Sequence, residues 1–204
     1  MKICIADGHS KGSPGASGLL DEFTCANAYV MQLASALSNA GYEVVSVLDG
    51  PGNSNAELAE KVRIANDSGA DLFMDVHFNS GGGTGTECYY WHNSASGKAL
   101  AEKMSANVAT ALGLRNRGAK ANNSFYVLRN TTMPAVLLET LFVDTQQDVD
   151  AWNRTSWKRL TDAVVDAIRG VDYVPGNEST PPANNETQKS VLENSEYRIT
   201  VERK

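Results

Sequence analysis

Two histidines and two glutamates of this chain occupy positions where side chains commonly do chemistry. His9 follows the apolar run ICIA and His77 follows LFMDV, so each imidazole is expected at the end of a buried strand. Glu22 opens a predicted helix in GLLDEF, and Glu139 ends the apolar run of PAVLLE. Sites in α/β proteins form where strands and helices begin or end. These four side chains therefore predict one shared site.

Two imidazoles and one carboxylate are a ligand set typical of catalytic zinc. Such sites use three protein ligands, often two histidines and a glutamate, and leave a fourth position for water. His9, Glu22 and His77 supply this set, for one zinc ion per chain. Zinc lowers the pKa of bound water to about 7 and polarises a carbonyl. Glu139, in a partly dry site, is then the predicted base that takes the water proton and passes it to a leaving amine.

Each residue considered singly has an ordinary structural interpretation. A histidine after an apolar strand is often capped or solvent-exposed, and the helix dipole favours a glutamate in the first turn. The predicted ligands are far apart in the sequence, and neither HExxH nor HxxE is present. Asp21, which adjoins Glu22, is an alternative ligand. The prediction therefore depends on the whole set of residues.

The alternation of predicted elements indicates an α/β fold. Strands are predicted at 2–6, 43–48, 70–78, 86–91, 125–129 and 135–139, and helices near 22–39, 55–69, 94–112, 145–152 and 154–169. Near-continuous apolar strands are typical of a parallel sheet covered on both faces. We expect a single domain with a mostly parallel twisted sheet of about six strands, helices on both faces, and the strand at 86–91 at an edge.

The composition changes after residue 172. Residues 1–172 are the predicted catalytic domain, long enough to bury roughly 70% of the unfolded surface. Residues 173–204 include VPGNESTPPANNETQKS, which has linker composition. We expect this tail to be a linker to a truncated or absent second module, or a frayed terminus.

Charge and cysteine content exclude several classes of protein. The net charge of -6 and the pI near 5.1 argue against binding nucleic acid or an anionic polymer by charge alone. No apolar run is long enough to cross a membrane. Cys4, Cys25 and Cys88 lack a CxxC spacing and are expected to be buried reduced thiols. The chain enters a strand directly after Met1, so we expect synthesis in the cytoplasm without a signal peptide.

Several segments taken in order resemble the zinc-dependent N-acetylmuramoyl-L-alanine amidases. These are GHS, the helix-opening Glu22, RIAND, GADLFMDVHFNS, GGGTGTECYY, NRGAK, FYVLR and MPAVLLETLFVD, from residue 2 to about 170. The resemblance implies cleavage of the amide that joins N-acetylmuramic acid to L-alanine in bacterial peptidoglycan. It carries His9, Glu22 and His77 over as zinc ligands and Glu139 as the catalytic carboxylate. It favours Glu22 over Asp21, because the family's acidic ligand opens the helix behind the metal.

Three further residues are candidates for substrate binding. Asn79 lies two positions after His77 and either contacts the substrate or caps a turn. Arg117 and Lys120 in NRGAK either bind the carboxylates of the stem peptide or belong to a solvated basic loop. The oligomeric state is not predicted.

The biological setting is predicted from the tail and from the start of the chain. A linker-like tail and no leader favour a phage or prophage endolysin that acts on the cell wall after release. The alternatives are an autolysin for mother-cell lysis, a zinc peptidase of carboxypeptidase-like architecture and a non-catalytic wall-binding module. A zinc peptidase of carboxypeptidase-like architecture would carry a compact HxxE pair, which this sequence lacks. A non-catalytic binding module would be expected to have lost a metal ligand or Glu139, and all four residues are present.

Overall fold

A computed structural model describes residues 1–50 and 54–176. Its elements in chain order are β1 (Lys2–Asp7), α1 (Glu22–Asn39), β2 (Glu43–Val47), α2 (Ser54–Asp67), β3 (Leu72–Asn79), β4 (Thr86–Trp91), α3 (Ala95–Leu112), β5 (Asn116–Asn122), α4 (Tyr126–Asn130), β6 (Ala135–Phe142), α5 (Gln146–Arg154) and α6 (Trp157–Arg169). No helix in these ranges has the length and hydropathy needed to span a bilayer.

The strands form one sheet in the order β2-β1-β3-β6-β4-β5. All neighbouring strands are parallel except β4 and β6, which are antiparallel. The central strands are covered on one face by α1, α3 and α6, and on the other by α2 and α4. Burial on both faces explains why β1, β3 and β6 are nearly continuous apolar runs. The predicted single α/β domain, with its mostly parallel six-stranded sheet and helices on both faces, is confirmed.

The prediction of a strand at 125–129 is wrong, because most of this segment is the short helix α4. The side chain of Asn122 accepts hydrogen bonds from the backbone N–H groups of Ser124 and Phe125, and this turn starts the helix. The sixth strand is β5, in which no residue is fully buried. Its residues are half-buried or exposed, so it lacks the apolar run by which the buried strands were predicted. β5 also takes the edge position that we predicted for β4, which lies between β5 and β6.

β6 is longer than predicted. It continues through Phe142, so Glu139 lies inside the strand rather than at its end. Thr140, Leu141 and Phe142 are all buried, and this burial keeps the chain extended past the glutamate. The consequence is that Glu139 points from the middle of a fixed strand and not from a loop.

Two remaining predictions concern cysteines and the tail. Cys4, Cys25 and Cys88 are free and buried, as expected. The tail prediction falls mostly on residues 177–204, which lie outside the described residues. Tyr173 itself is buried, and its backbone N–H donates to the side chain of Asn107 at 3.0 Å.

Candidate metal centre and active site

His9 reaches the site through a tight turn after β1. The backbone of His9 has φ 71°, a left-handed conformation that few non-glycine residues adopt. Gly8 precedes it and donates its N–H to the carbonyl of Val76 at 2.7 Å, which holds the turn against β3. A Cβ on Gly8 would lie 2.6 Å from His77 Nδ1. The glycine therefore lets the two histidine-bearing segments approach closely.

Glu22 and Asp21 are adjacent in the sequence but have different roles at the start of α1. Asp21 is the N-cap, and its carboxylate accepts a hydrogen bond from the backbone N–H of Thr24 at 2.9 Å. Glu22 is the first helical residue, and its carboxylate lies between His9 and His77. The geometry thus groups Glu22, and not Asp21, with the two histidines.

The three predicted metal ligands are brought together. His9 Nε2 lies 3.1 Å from Glu22 Oε2, and His77 Nδ1 lies 3.1 Å from Glu22 Oε1. One donor atom from each residue can be chosen so that all three lie within 4.8 Å of one another. Zinc bonds of about 2.0–2.2 Å in a tetrahedron separate ligand atoms by roughly 3.3–3.6 Å. The donor types and their spacing therefore fit a small divalent metal such as zinc.

Glu22 is held in its ionised form. Burial alone would raise its pKa, but hydrogen bonds with His77 and His9 lower the pKa far below its usual value. The backbone N–H groups of Ala16 and Phe78 also donate to its two oxygens, at 2.8 and 3.1 Å. A carboxylate must be deprotonated to bind a metal, so these contacts prepare Glu22 for that role.

Glu139 faces the same site from the neighbouring strand. It is the parallel partner of His77 on β3 and the antiparallel partner of Glu87 on β4. Its Oε2 is buried and has no hydrogen-bond partner within the described residues. Burial raises the pKa of Glu139 to about 7; the charge of His77 opposes this rise, and the charges of Glu22 and Glu87 add to it. A group with a pKa near neutrality can both accept and donate a proton.

A cleft of about 310 Å³ opens over these residues. The predicted ligands and Glu139 line it, together with Asn79 and, on its apolar wall, Phe125 and Tyr126. The segment that we predicted as a strand therefore supplies part of the wall of the cleft.

The three candidate substrate contacts share one partner, Glu87. Asn79 lines the cleft and donates its side-chain N–H to Glu87 Oε1 at 3.0 Å. Arg117 Nε and Lys120 Nζ each lie 2.5 Å from Glu87 Oε2. Burial would raise the pKa of Glu87, but hydrogen bonds from Arg117, Lys120 and Tyr89 lower it to about 2. The basic side chains are thus ordered by an ion pair beside Glu139 and are not a free basic loop.

Three charged residues near the site, Glu87, Asp75 and Lys61, were not predicted from the sequence. Asp75 is fully buried inside the apolar run LFMDV, and such a charge within a buried strand was a signal that could have identified it. Lys61 lies on an amphipathic helix, where lysine is normally exposed, so no local feature indicated its burial. Glu87 follows the glycine-rich turn and resembled any polar residue of an alternating strand.

Comparison with known proteins identifies the family of this chain. Residues 3–170 match the family model described as N-acetylmuramoyl-L-alanine amidase. The sporulation-specific N-acetylmuramoyl-L-alanine amidase of Bacillus subtilis (strain 168) is 36% identical over 160 residues, which are 77% of this chain and 62% of that protein.

Two solved structures are similar over nearly their whole length. The catalytic domain of the CD27L endolysin targeting Clostridia Difficile has a TM-score of 0.74 and 27% identity, covering 85% of this chain and 99% of that one. The catalytic domain of CwlV, an N-acetylmuramoyl-L-alanine amidase from Bacillus (Paenibacillus) polymyxa var. colistinus, has a TM-score of 0.71 and 32% identity, covering 82% and 96%. The chain spans 46 to 62% of the length of three curated relatives that it matches. With a match over most of its residues and the same fold, this chain belongs to the N-acetylmuramoyl-L-alanine amidase family.

Proposed function

We propose that this protein hydrolyses the amide between N-acetylmuramic acid and L-alanine in bacterial peptidoglycan, with one zinc ion held by His9, Glu22 and His77. The observation that carries this proposal is the convergence of these three donors with Glu139 on one cleft, in a chain of this family. When bound, zinc lowers the pKa of water to about 7 and polarises the carbonyl under attack.

Glu139 is the proposed proton carrier. Its unpartnered Oε2 takes a proton from the water that attacks the amide carbon, and then delivers this proton to the nitrogen of L-alanine. The C–N bond breaks, and the second proton of the water passes from the new carboxyl group to the amine, leaving a carboxylate on the lactyl group and an ammonium group on the peptide. In the metal-free protein, burial raises the pKa of Glu139 to about 7, and this raised proton affinity supports a side chain that must be a base in the first transfer and an acid in the second.

Asn79, Arg117 and Lys120 are proposed to hold the stem peptide. Asn79 lines the cleft and donates a hydrogen bond to Glu87. Arg117 and Lys120 form ion pairs with the same Glu87, which places them close to Asn79. Two cations around one carboxylate leave a local excess of one positive charge. This excess supports attraction of an anionic stem peptide to that side of the cleft.

The reaction is tested on purified cell walls. Incubation with the zinc-loaded protein is expected to release free amino groups that belong to L-alanine. Addition of a chelator is expected to abolish their release, and the Glu139→Gln variant is expected to reduce it by about 100- to 10,000-fold. New reducing sugars would indicate cleavage of the glycan, and other peptide termini would indicate a peptidase of carboxypeptidase type. Either product as the main one would overturn the proposed reaction.

We further propose that the protein acts as a phage or prophage endolysin, active on the wall after release. Similarity to the catalytic domain of the CD27L endolysin supports this setting. Similarity to a sporulation-specific amidase supports the alternative, an autolysin for mother-cell lysis. A neighbouring gene for a membrane-permeabilising protein would favour the endolysin, and a neighbourhood of sporulation genes would contradict it.

A further inference from the structure

A buried ion pair adjoins His77, and one of its two members, Asp75, also lines the cleft. Lys61 on α2 and Asp75 on β3 are 1% and 0% exposed. Lys61 Nζ lies 3.6 Å from Asp75 Oδ1 and 2.9 Å from Glu57 Oε1, on the same helix. Burying an ammonium group is costly unless other charges compensate it, and lysine is rarely buried in this way. The pair therefore calls for an explanation beyond packing.

Asp75 connects this pair to the proposed metal ligand. Its Oδ2 lies 3.1 Å from His77 Nε2, while the other ring nitrogen, Nδ1, faces Glu22. An ionised carboxylate only accepts hydrogen bonds, so each ring nitrogen of metal-free His77 faces an acceptor, Nε2 facing Asp75 and Nδ1 facing Glu22. A metal bound at Nδ1 would replace the hydrogen on that side, while Asp75 would keep the hydrogen on Nε2 and so fix the ring in the required tautomer.

The two oxygens of Asp75 have separate partners. Oδ2 serves His77, and Oδ1 faces the ammonium group of Lys61. The Lys61 charge keeps a carboxylate in a site with no exposure to water, where an unpaired charge would be unfavourable. Lys61 also links α2, which supplies no ligand, to the strand that bears His77.

We propose that Lys61 and Asp75 are positioning residues that fix the ring orientation and the tautomer of His77 for metal binding. This inference rests on the proposed metal site. Mutation of a residue that hydrogen-bonds to a metal ligand typically weakens metal binding by about 10- to 100-fold. A purely structural ion pair would instead change stability and leave the affinity for the metal unchanged.

The test measures zinc affinity by competition with a chromophoric chelator, on protein shown to be folded by circular dichroism. Lys61→Met and the nearly isosteric Asp75→Asn are each expected to weaken zinc binding about 10- to 100-fold. Arg63→Met is the matched control, because Arg63 forms exposed ion pairs on the same helix. The control is expected to bind zinc as the parent does.

Two further measurements separate the possible outcomes. The double variant is expected to lose less affinity than the sum of the single losses, since both residues act through one ring. The absorption spectrum of the cobalt-substituted protein is expected to change in Asp75→Asn and not in Arg63→Met. Parent-like zinc affinity and cobalt spectrum in both folded variants would overturn this inference alone. A parent protein that binds no zinc would overturn the metal site of the proposed function, and this inference with it.

Discussion

Glu22 and Glu139 are two carboxylates on one cleft, but their surroundings differ. Glu22 accepts hydrogen bonds from two backbone N–H groups and contacts both histidines, whereas Glu139 Oε2 has no hydrogen-bond partner within the described residues. Their pKa values accordingly shift in opposite directions from the same ordinary value. Both are shielded from water, so hydrogen bonding, and not burial alone, separates the proposed ligand, which is ionised at neutral pH, from a group that can exchange a proton.

The largest expected effect comes from replacing Glu22, which is the proposed metal ligand of the two glutamates. Glu22→Gln is expected to abolish zinc binding and reduce wall hydrolysis to background, because a neutral amide replaces the anionic ligand. Asp21→Asn, at the adjacent position, is expected to keep both, since asparagine also caps helices. Metal content of the purified proteins and the release of L-alanine amino groups measure this difference. Zinc loss in the Asp21 variant alone would reverse the assignment of the ligand.

The proposed role of Glu139 as the proton carrier is tested by Glu139→Gln. The amide cannot accept the proton, so activity is expected to fall by about 100- to 10,000-fold. Zinc content is expected to stay at the level of the parent, because Glu139 is not among the grouped donors. Substantial turnover by this variant, or loss of its zinc, would remove Glu139 from the proposed role.

The dependence of folding stability on pH is expected to differ in sign between Glu139 and Glu22, and this effect is smaller than the two above. The folded-state pKa of Glu139, about 7, lies above the ordinary 4.5, so its ionisation destabilises the fold as pH rises through this window. In metal-free protein, Glu139→Gln is expected to match the parent near pH 4 and to exceed its stability above pH 7, by at most about 3 kcal/mol. Glu22 has the opposite sign, since its contribution is present above pH 4.5 and is lost as pH falls.

Urea unfolding of the metal-free parent and of the Glu139→Gln variant across this range is the measurement. Equal stability of the two proteins at all pH values would show that Glu139 is not held in an unfavourable environment. The predicted opposite pKa shifts of Glu22 and Glu139 would then not hold for Glu139.

The smallest expected effect concerns Glu87, the neighbour of Glu139 on β4. Its negative charge contributes to the raised pKa of Glu139. Glu87→Gln removes this charge, so the acidic limb of the activity profile is expected to move to lower pH by a fraction of a unit. The same change releases Arg117 and Lys120 from their shared partner, and KM for wall fragments is expected to change as well. A limb that moves to higher pH would contradict the sign of this coupling.

The order of elements and most of their types could be predicted from local patterns. Buried strands such as β1 and β3 are short apolar runs, and α1 and α3 have helical periodicity with capping residues, so their signals are contained in a few neighbouring residues. Edge strand β5 and helix α4 were not predicted correctly. An edge strand pairs on one side only, and the turn at Asn122 outweighs the strand propensity of the segment that follows.

The sequence by itself determined which side chains were available for chemistry, because His9, His77 and Glu139 are marked by the apolar runs that precede them. Only the tertiary structure decided which of these side chains come into contact and which protonation state each of them has. β1, β3 and β6 are neighbours in the sheet although they are distant in the chain, and this adjacency places the histidines beside Glu139. Burial and hydrogen bonding then set the charges, and both arise from contacts between segments that no local pattern records.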